Sequence, residues 1–304
     1  MAAGHSEAQP AAADVVIVNT CGFIDAAKEE SVAGRLDAVE VAHAHGAREL
    51  VLVGQDTSRW AQTGWGGLER LLFELKALPP SSVWLRLIYL PPDGIDRSIL
   101  DALARHTVPY VDVCHPLEHA SGAVLRRMGR RGGGSGGDGG AYLGLLARIR
   151  AALPGVAIRS TFIAGLPGET EEEFEDALAF VGEAGLAAAG VFPYDAQEGT
   201  AARLPGQVAA DVTFGRASRL SERIDQVAVH DWEAFVGRSL EVLVERGITR
   251  HDGAAVGRCA FQAPDIDGRT LVGGGPLRRG QLVHAFAVGS AGYDVEAVAG
   301  SREP

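Results

Sequence analysis

The sequence predicts an α/β chain followed by a small all-β unit. Three observations carry that prediction. Six short apolar runs recur up to Phe192: Val15–Val18, Leu50–Val53, Trp84–Leu90, Tyr110–Val113, Ala157–Ile163 and Ala187–Phe192. Helical patterns separate most of them, and strands that alternate with helices pair in parallel through right-handed crossovers. After about Val236 the helical patterns stop and five short strand-like runs follow, punctuated by glycines and Asp-Gly pairs. Such a series predicts a small antiparallel β-barrel.

Each element has its own reason. Ile24–His45 places Val32, Leu36, Val39 and Val41 at helix-like spacing, and Leu68–Leu78 does so with Leu71, Leu72 and Leu75. Asp96–Arg105, Ala141–Ala152 and Glu171–Ala184 read as helices in the same way. Gln207–Phe235 predicts one or two helices, with Phe214, Leu220, Ile224 and Val227 turned toward the sheet. The run Gly132–Gly140 is almost all glycine, so it predicts a flexible loop. Arg126, Arg127, Arg130 and Arg131 precede it, either as a solvated helix end or as a claw for an anionic group. The strand-like runs of the tail are Leu240–Val244, Ala255–Cys259, Thr270–Val272, Gln281–Val288 and Tyr293–Val298.

Composition sets the bounds. A chain of 304 residues with 46% hydrophobic content has enough apolar mass for one large and one small domain, or two. No stretch of about 18 apolar residues occurs, so no membrane span is expected. Met1–Ala13 is alanine-rich without a basic start, which predicts a disordered leader and not a secretory signal. Three cysteines without regular spacing imply no disulfide framework and a cytoplasmic setting. Net charge is −11, and residues 1–235 hold all of the excess, with 20 basic and 31 acidic residues; the tail from Val236 is neutral. That distribution disfavours a nucleic-acid backbone as partner and suits a basic protein.

Several residues carry candidate chemistry. Cys21 follows the run Val15–Val18 and precedes a helical pattern. A thiol at a strand's C-terminal end, before a helix, stands where α/β folds do chemistry and has a lowered pKa. A buried free cysteine is the alternative. Gln55 and Asp56 end the second strand, where capping of the next turn is the simpler role. The turn Ile163-Ala164-Gly165-Leu166-Pro167-Gly168-Glu169 lets a ligand approach the backbone closely, with Glu169 capping the next helix or holding the turn. Arg159 is a carboxylate partner or one half of an internal salt bridge. Asp112, Cys114, His115 and His119 are spaced so as to permit a metal site, against simple loop polarity. Cys259 reads as a core residue of the tail. No Ser–His–Asp motif, nucleophile elbow or P-loop occurs.

Several of these words together resemble one family. Asp14–Val32, with Asn19-Thr20-Cys21-Gly22, resembles the N-terminal domain of the radical S-adenosylmethionine (SAM) methylthiotransferases. Val51–Ser58 resembles the family's second barrel strand, and Arg159–Thr170 its fifth-strand signature. His119-Ala120-Ser121, Leu125–Arg130 and the tail from Val236 occur in the family's order. The wording is most similar to the branch that methylthiolates an aspartate of a small-subunit ribosomal protein. The resemblance implies a six-stranded partial (β/α) barrel of radical SAM type and a TRAM-like β-barrel. It divides the chain into a leader (1–13), a remnant of the N-terminal domain fused into the barrel (14–46), the radical SAM-like barrel (47–235) and the TRAM-like barrel (236–304).

The same resemblance implies two 4Fe-4S clusters, SAM, and a basic ribosomal protein as partner. The adenine of SAM would lie against Ile163 and Gly165, its amino group near Gln55 and Asp56, with Arg159 and Glu169 as further cofactor-binding positions. Cys21 is the one cysteine that matches any of the family's six cluster-ligand positions. The family's Cys-x-x-x-Cys-x-x-Cys segment has no counterpart, which reads as an internal deletion. Val15–Val18 is then expected to fill the vacant first strand of the sheet, with Cys21 at its rim. The chain as written is expected to lack the SAM-cleaving step. The alternatives are a non-catalytic SAM- or ribosomal-protein-binding remnant, a transfer-RNA methylthiotransferase, and a gene model that joins two pieces of a longer enzyme, which the DNA between the codons for Val32 and Ala47 distinguishes.

Overall fold

A computed structural model describes residues 15–19, 39–41, 44, 46–54, 56–59, 67–75, 83–113, 117–129, 138–196, 206–247 and 253–300, with backbone alone for 15–19, Arg59 and Asp231. Six strands form one sheet in the order β1-β2-β3-β4-β5-β6, all neighbours parallel. They are β1 (Val15–Asn19), β2 (Glu49–Val53), β3 (Trp84–Ile88), β4 (Tyr110–Asp112), β5 (Ala157–Ala164) and β6 (Ala188–Pro193). β1 pairs with β2 along five residues, from Val15 opposite Glu49 to Asn19 opposite Val53. The first apolar run therefore does join the sheet next to the second.

Helices α1 (Gly67–Leu75), α2 (Arg97–Leu103), α3 (Gly122–Arg127), α4 (Gly139–Ala152), α5 (Glu171–Ala184) and α6 (Ala210–Glu233) connect and cover the strands. One face of the sheet is packed: Leu50 and Leu52 of β2, Leu85 and Leu87 of β3, Val111 of β4, and Ile158 and Phe162 of β5 form a core with Leu68, Leu72, Tyr142, Leu146, Phe174 and Leu220 of the helices. On β5 the alternate residues Arg159, Thr161 and Ile163 are only partly buried, so the other face is more open at β5, whereas Val51, Arg86 and Asp112 on that face of β2–β4 are buried.

The tail is a closed barrel of β7 (Ser239–Arg246), β8 (Ala255–Cys259), β9 (Thr270–Gly273), β10 (Leu282–Ala291) and β11 (Asp294–Ala299), in the order β10-β11-β9-β8-β7. All five predicted strands are present. The expectation of a purely antiparallel barrel is corrected: β9 and β11 pair in parallel. Side-chain alternation is the same in either kind of pair, so the sequence pattern could not tell them apart.

Three local expectations also change. The third strand stops at Ile88, before Leu90, because Tyr89 takes a left-handed backbone conformation (φ 61°) that cannot continue a ladder. Gly139 and Gly140 are not loop: they open α4, whose first turn is capped by the Asp138 carboxylate accepting from the Ala141 N–H at 3.0 Å. Gln207–Phe235 holds a single helix whose buried side differs in part from the predicted one. Leu220 and Ile224 face inward as predicted, but Phe214 is 63% exposed and Val227 only partly buried, and Thr213, Arg216, Ala217 and Ala228 complete the inward side. A small side chain at Thr213 is needed there, for the reason given next.

Candidate functional site

The turn after β5 is built around one buried carboxylate. Gly165 has φ +83°, and a methyl on its Cα would fall 2.3 Å from the Thr213 hydroxyl of α6. Only glycine accepts both the conformation and the contact. Glu169 then reaches back: its Oε2 accepts from the N–H groups of Gly165 (2.8 Å) and Leu166 (3.0 Å). Arg216 of α6 donates from Nη1 to Glu169 Oε1 at 3.1 Å and to the Glu169 carbonyl at 2.9 Å. Burial raises the Glu169 carboxyl, against the opposing pull of the two backbone N–H groups and Arg216. Of the two roles predicted for Glu169, it holds the turn. Thr170 caps α5 instead, in a reciprocal box with Glu173.

A second layer surrounds this turn. His119 is buried, and its Nδ1 accepts from the Ser121 N–H at 3.0 Å, which puts the ring proton on Nε2. Nε2 lies 3.9 Å from Glu169 Oε2 and has no hydrogen-bond partner among the described residues. Burial lowers the His119 pKa to about 4, so the ring is neutral. Arg127 at the end of α3 grips Glu173 with both terminal nitrogens, at 2.9 and 2.6 Å. Of the arginines before the glycine run, Arg127 is therefore neither a free solvated end nor a claw for an outside anion.

The chain between β4 and His119 is longer than a regular ladder needs. The Ala157 N–H donates to the Pro109 carbonyl, and the Ile163 N–H donates to the Glu118 carbonyl at 2.8 Å. A regular parallel ladder would bring residue 115 opposite Ile163, so three extra residues lie in this stretch.

On the more open face, Arg159, Thr161 and Phe192 gather around Gly190. A Cβ there would lie 3.5 Å from Arg159 Nη2, 3.7 Å from the Phe192 ring and 4.0 Å from Thr161 Oγ1. Phe192 is 60% exposed. Arg159 has carboxylates on two sides: Asp112 of β4 at 3.5 Å, and Asp267 from the tail barrel at 3.6 Å. The internal salt bridge is thus the alternative this structure favours for Arg159. Ile163 lies on the same face at the C-terminal rim. Asp56 accepts from the Ser58 hydroxyl at 2.6 Å, in the short 3-10 turn after β2. Gln55, Cys21, Cys114 and His115 lie outside the described residues.

The structure brings Gly165 and Glu169 together, with Ile163 just before them and Arg159 further down β5. The sequence did not reveal the partners Thr213 and Arg216, or the approach of His119 to Glu169. No helix among the described residues is long and apolar enough to cross a membrane.

A parallel strand–helix sheet whose last helix leads into a closed five-stranded barrel defines the class, and the barrel has a known counterpart: residues 236–299 match the TRAM domain model. The chain is a relative of the RimO-type methylthiotransferases. It is 40% identical over 252 residues to the ribosomal protein uS12 methylthiotransferase RimO of Moorella thermoacetica, covering 81% of this chain and 55% of that protein. The RimO of Pelotomaculum thermopropionicum is 38% identical over 256 residues (82% and 56%), and that of Sorangium cellulosum 36% over 267 residues (84% and 53%). The chain spans about half the length of the relatives it matches.

The residues present fit the family's cofactors unequally. Around Ile163 the sheet face is partly open and apolar, which fits a flat ring such as adenine. The space beside the Gly165 Cα is filled by Thr213 and leaves no room for a ligand on that side. The described thiol does not fit a cluster: Cys259 is wholly buried in the tail barrel, where burial raises its pKa. A 4Fe-4S cluster is held by three or four thiolates, and the whole sequence has three cysteines, none in the spacing Cys-x-x-x-Cys-x-x-Cys.

Proposed function

We propose that this chain is a RimO-type protein that takes SAM on the open face of its sheet, engages the small-subunit ribosomal protein uS12, and does not cleave SAM by itself. The observation that carries the reading is the join at the first strand. β1 pairs with β2 in an unbroken five-residue register, and the segment between them holds one cysteine, Cys21. The similarity to uS12 methylthiotransferases supports the choice of partner. The acidic body supports it as well, because a basic ribosomal protein is steered by such a field.

In this reading the sheet is a radical SAM-type partial barrel and the domain limits are 14–46, 47–235 and 236–304. Ile163 presents an apolar surface to adenine. Glu169 keeps the turn in shape by holding the Gly165 and Leu166 N–H groups, and Arg216 holds Glu169 in place. Asp56, in the turn after β2, is the described candidate for contact with the SAM amino group, as the resemblance implies. Arg159 orients the open face through its two carboxylates and does not bind substrate directly. Cys21 supplies a single thiol.

The test has three arms. Titration calorimetry with SAM should show binding, and purified uS12 should be retained by the immobilised chain. Anaerobic treatment with iron and sulfide should give no stable 4Fe-4S absorbance and no 5′-deoxyadenosine. A stable cluster spectrum with SAM cleavage would refute the non-cleaving part. Absence of both SAM and uS12 binding would refute the binding part.

A further inference from the structure

The tail barrel meets the sheet at the rim opposite the Glu169 turn, and buried charge joins the two. Glu49 is the first residue of β2 and Arg86 lies on β3; both side chains are fully buried. Arg258 of β8 is 3% exposed. Arg86 Nε donates to Glu49 Oε1. Arg258 donates to the same carboxylate twice, Nη2 to Oε2 at 2.6 Å and Nη1 to Oε1 at 3.1 Å. Arg258 Nε also donates to Glu245 at 2.6 Å, and Arg86 Nη1 to the Ala260 carbonyl of the barrel at 2.8 Å. One carboxylate is thus shared by a guanidinium from each unit.

Other contacts run along the same rim. Tyr110 and Ala157, the first residues of β4 and β5, pack against Ala263 and Phe261 of the barrel. The α6 helix spans both units. Its Thr213 and Arg216 support the Glu169 turn, and Trp232 near its end donates from Nε1 to the Ala187 carbonyl while packing in the barrel core. Asp267 reaches Arg159 on the open face.

A charge taken out of water is costly unless its full set of partners is present. Lifting the barrel away would remove both Arg258 bonds from Glu49 and the carbonyl from Arg86. We propose that the barrel is the fixed floor of the sheet, keyed by Glu49 between Arg86 and Arg258, so that sheet and barrel open and unfold as one unit. The barrel is not a tethered arm. Whatever it holds is presented from a constant position below Arg159. The inference rests on the interface alone and is independent of SAM or uS12 binding.

The full chain tests this by hydrogen exchange under increasing urea, comparing peptides that cover 49–53 with peptides that cover 255–259. The two sets should lose protection together, at one midpoint shared by tryptophan fluorescence and far-ultraviolet circular dichroism. Glu49→Gln and Arg258→Met should each lower that midpoint for both sets, and the double variant should lose much less than the two losses combined. Barrel peptides that open at lower urea than sheet peptides in the unaltered chain would overturn the inference, as would strictly additive losses. If either variant fails to fold, the comparison of peptides in the unaltered chain still decides.

Discussion

The Thr213 hydroxyl occupies the place where a side chain at Gly165 would begin, 2.3 Å from the ideal Cβ position. This contact sets the distance between α6 and β5, and through it the position of Arg216 on Glu169. Gly165→Ala should therefore destabilise by about 2–4 kcal/mol, from the left-handed backbone and the overlap together. Thr213→Gly in the same chain should recover only the overlap. Urea unfolding measures both; an unchanged midpoint in Gly165→Ala would contradict the geometry.

His119 predicts a pH dependence. Its folded pKa is about 4 against an ordinary 6.5, so below pH 6.5 the unfolded chain binds the extra proton. Stability is then lost as pH falls from about 6.5 to 4, by on the order of 3 kcal/mol. Glu169 works the other way, since its raised carboxyl favours the folded state at low pH. The effect of His119 is isolated as the difference between the chain and His119→Gln, whose stability curve should be flatter between pH 6.5 and 4. Parallel curves would show that the ring is not buried as a neutral group.

Thr170 accepts from the Glu173 N–H at 3.2 Å, and Glu173 in turn accepts from the Thr170 N–H at 2.9 Å. Thr170→Ala should cost about 1 kcal/mol. Thr170→Ser should be nearly neutral, because the hydroxyl is the working group. Thermal unfolding distinguishes the two.

Cys259 has no exposed surface, and burial raises its thiol pKa. Iodoacetamide followed by peptide mass mapping should leave Cys259 unmodified in the native chain and modify it fully in denaturant. Native labelling would mean that the tail barrel opens readily.

Much of the fold was legible because strands and helices announce themselves by period. The placement of β1 beside β2 followed from the family resemblance, which leaves the first strand position vacant for a strand–helix unit of that size. Chemistry that depends on distant partners was less legible. His119, Glu169 and Arg216 are far apart in sequence, and nothing local in any of them points to the others. Phe214 misled because the largest apolar residue was assumed to face the core. Close approach of α6 to Gly165 requires a small residue inside, and Thr213 fills that place. Tyr89 was read as strand because it lies inside the apolar run Trp84–Leu90, yet the backbone turns left-handed there and its carbonyl accepts the Thr57 N–H at 3.1 Å.

The ladder between β4 and β5 leaves register at Val113 and resumes at Glu118 with three residues to spare. The anchoring hydrogen bonds lie on both sides of the surplus, so its length is decoupled from the strands. This is the property sought in a grafting point. A peptide tag, a spectroscopic probe or a foreign recognition loop inserted between Val113 and Leu117 would be borne by hydrogen bonds already made without it.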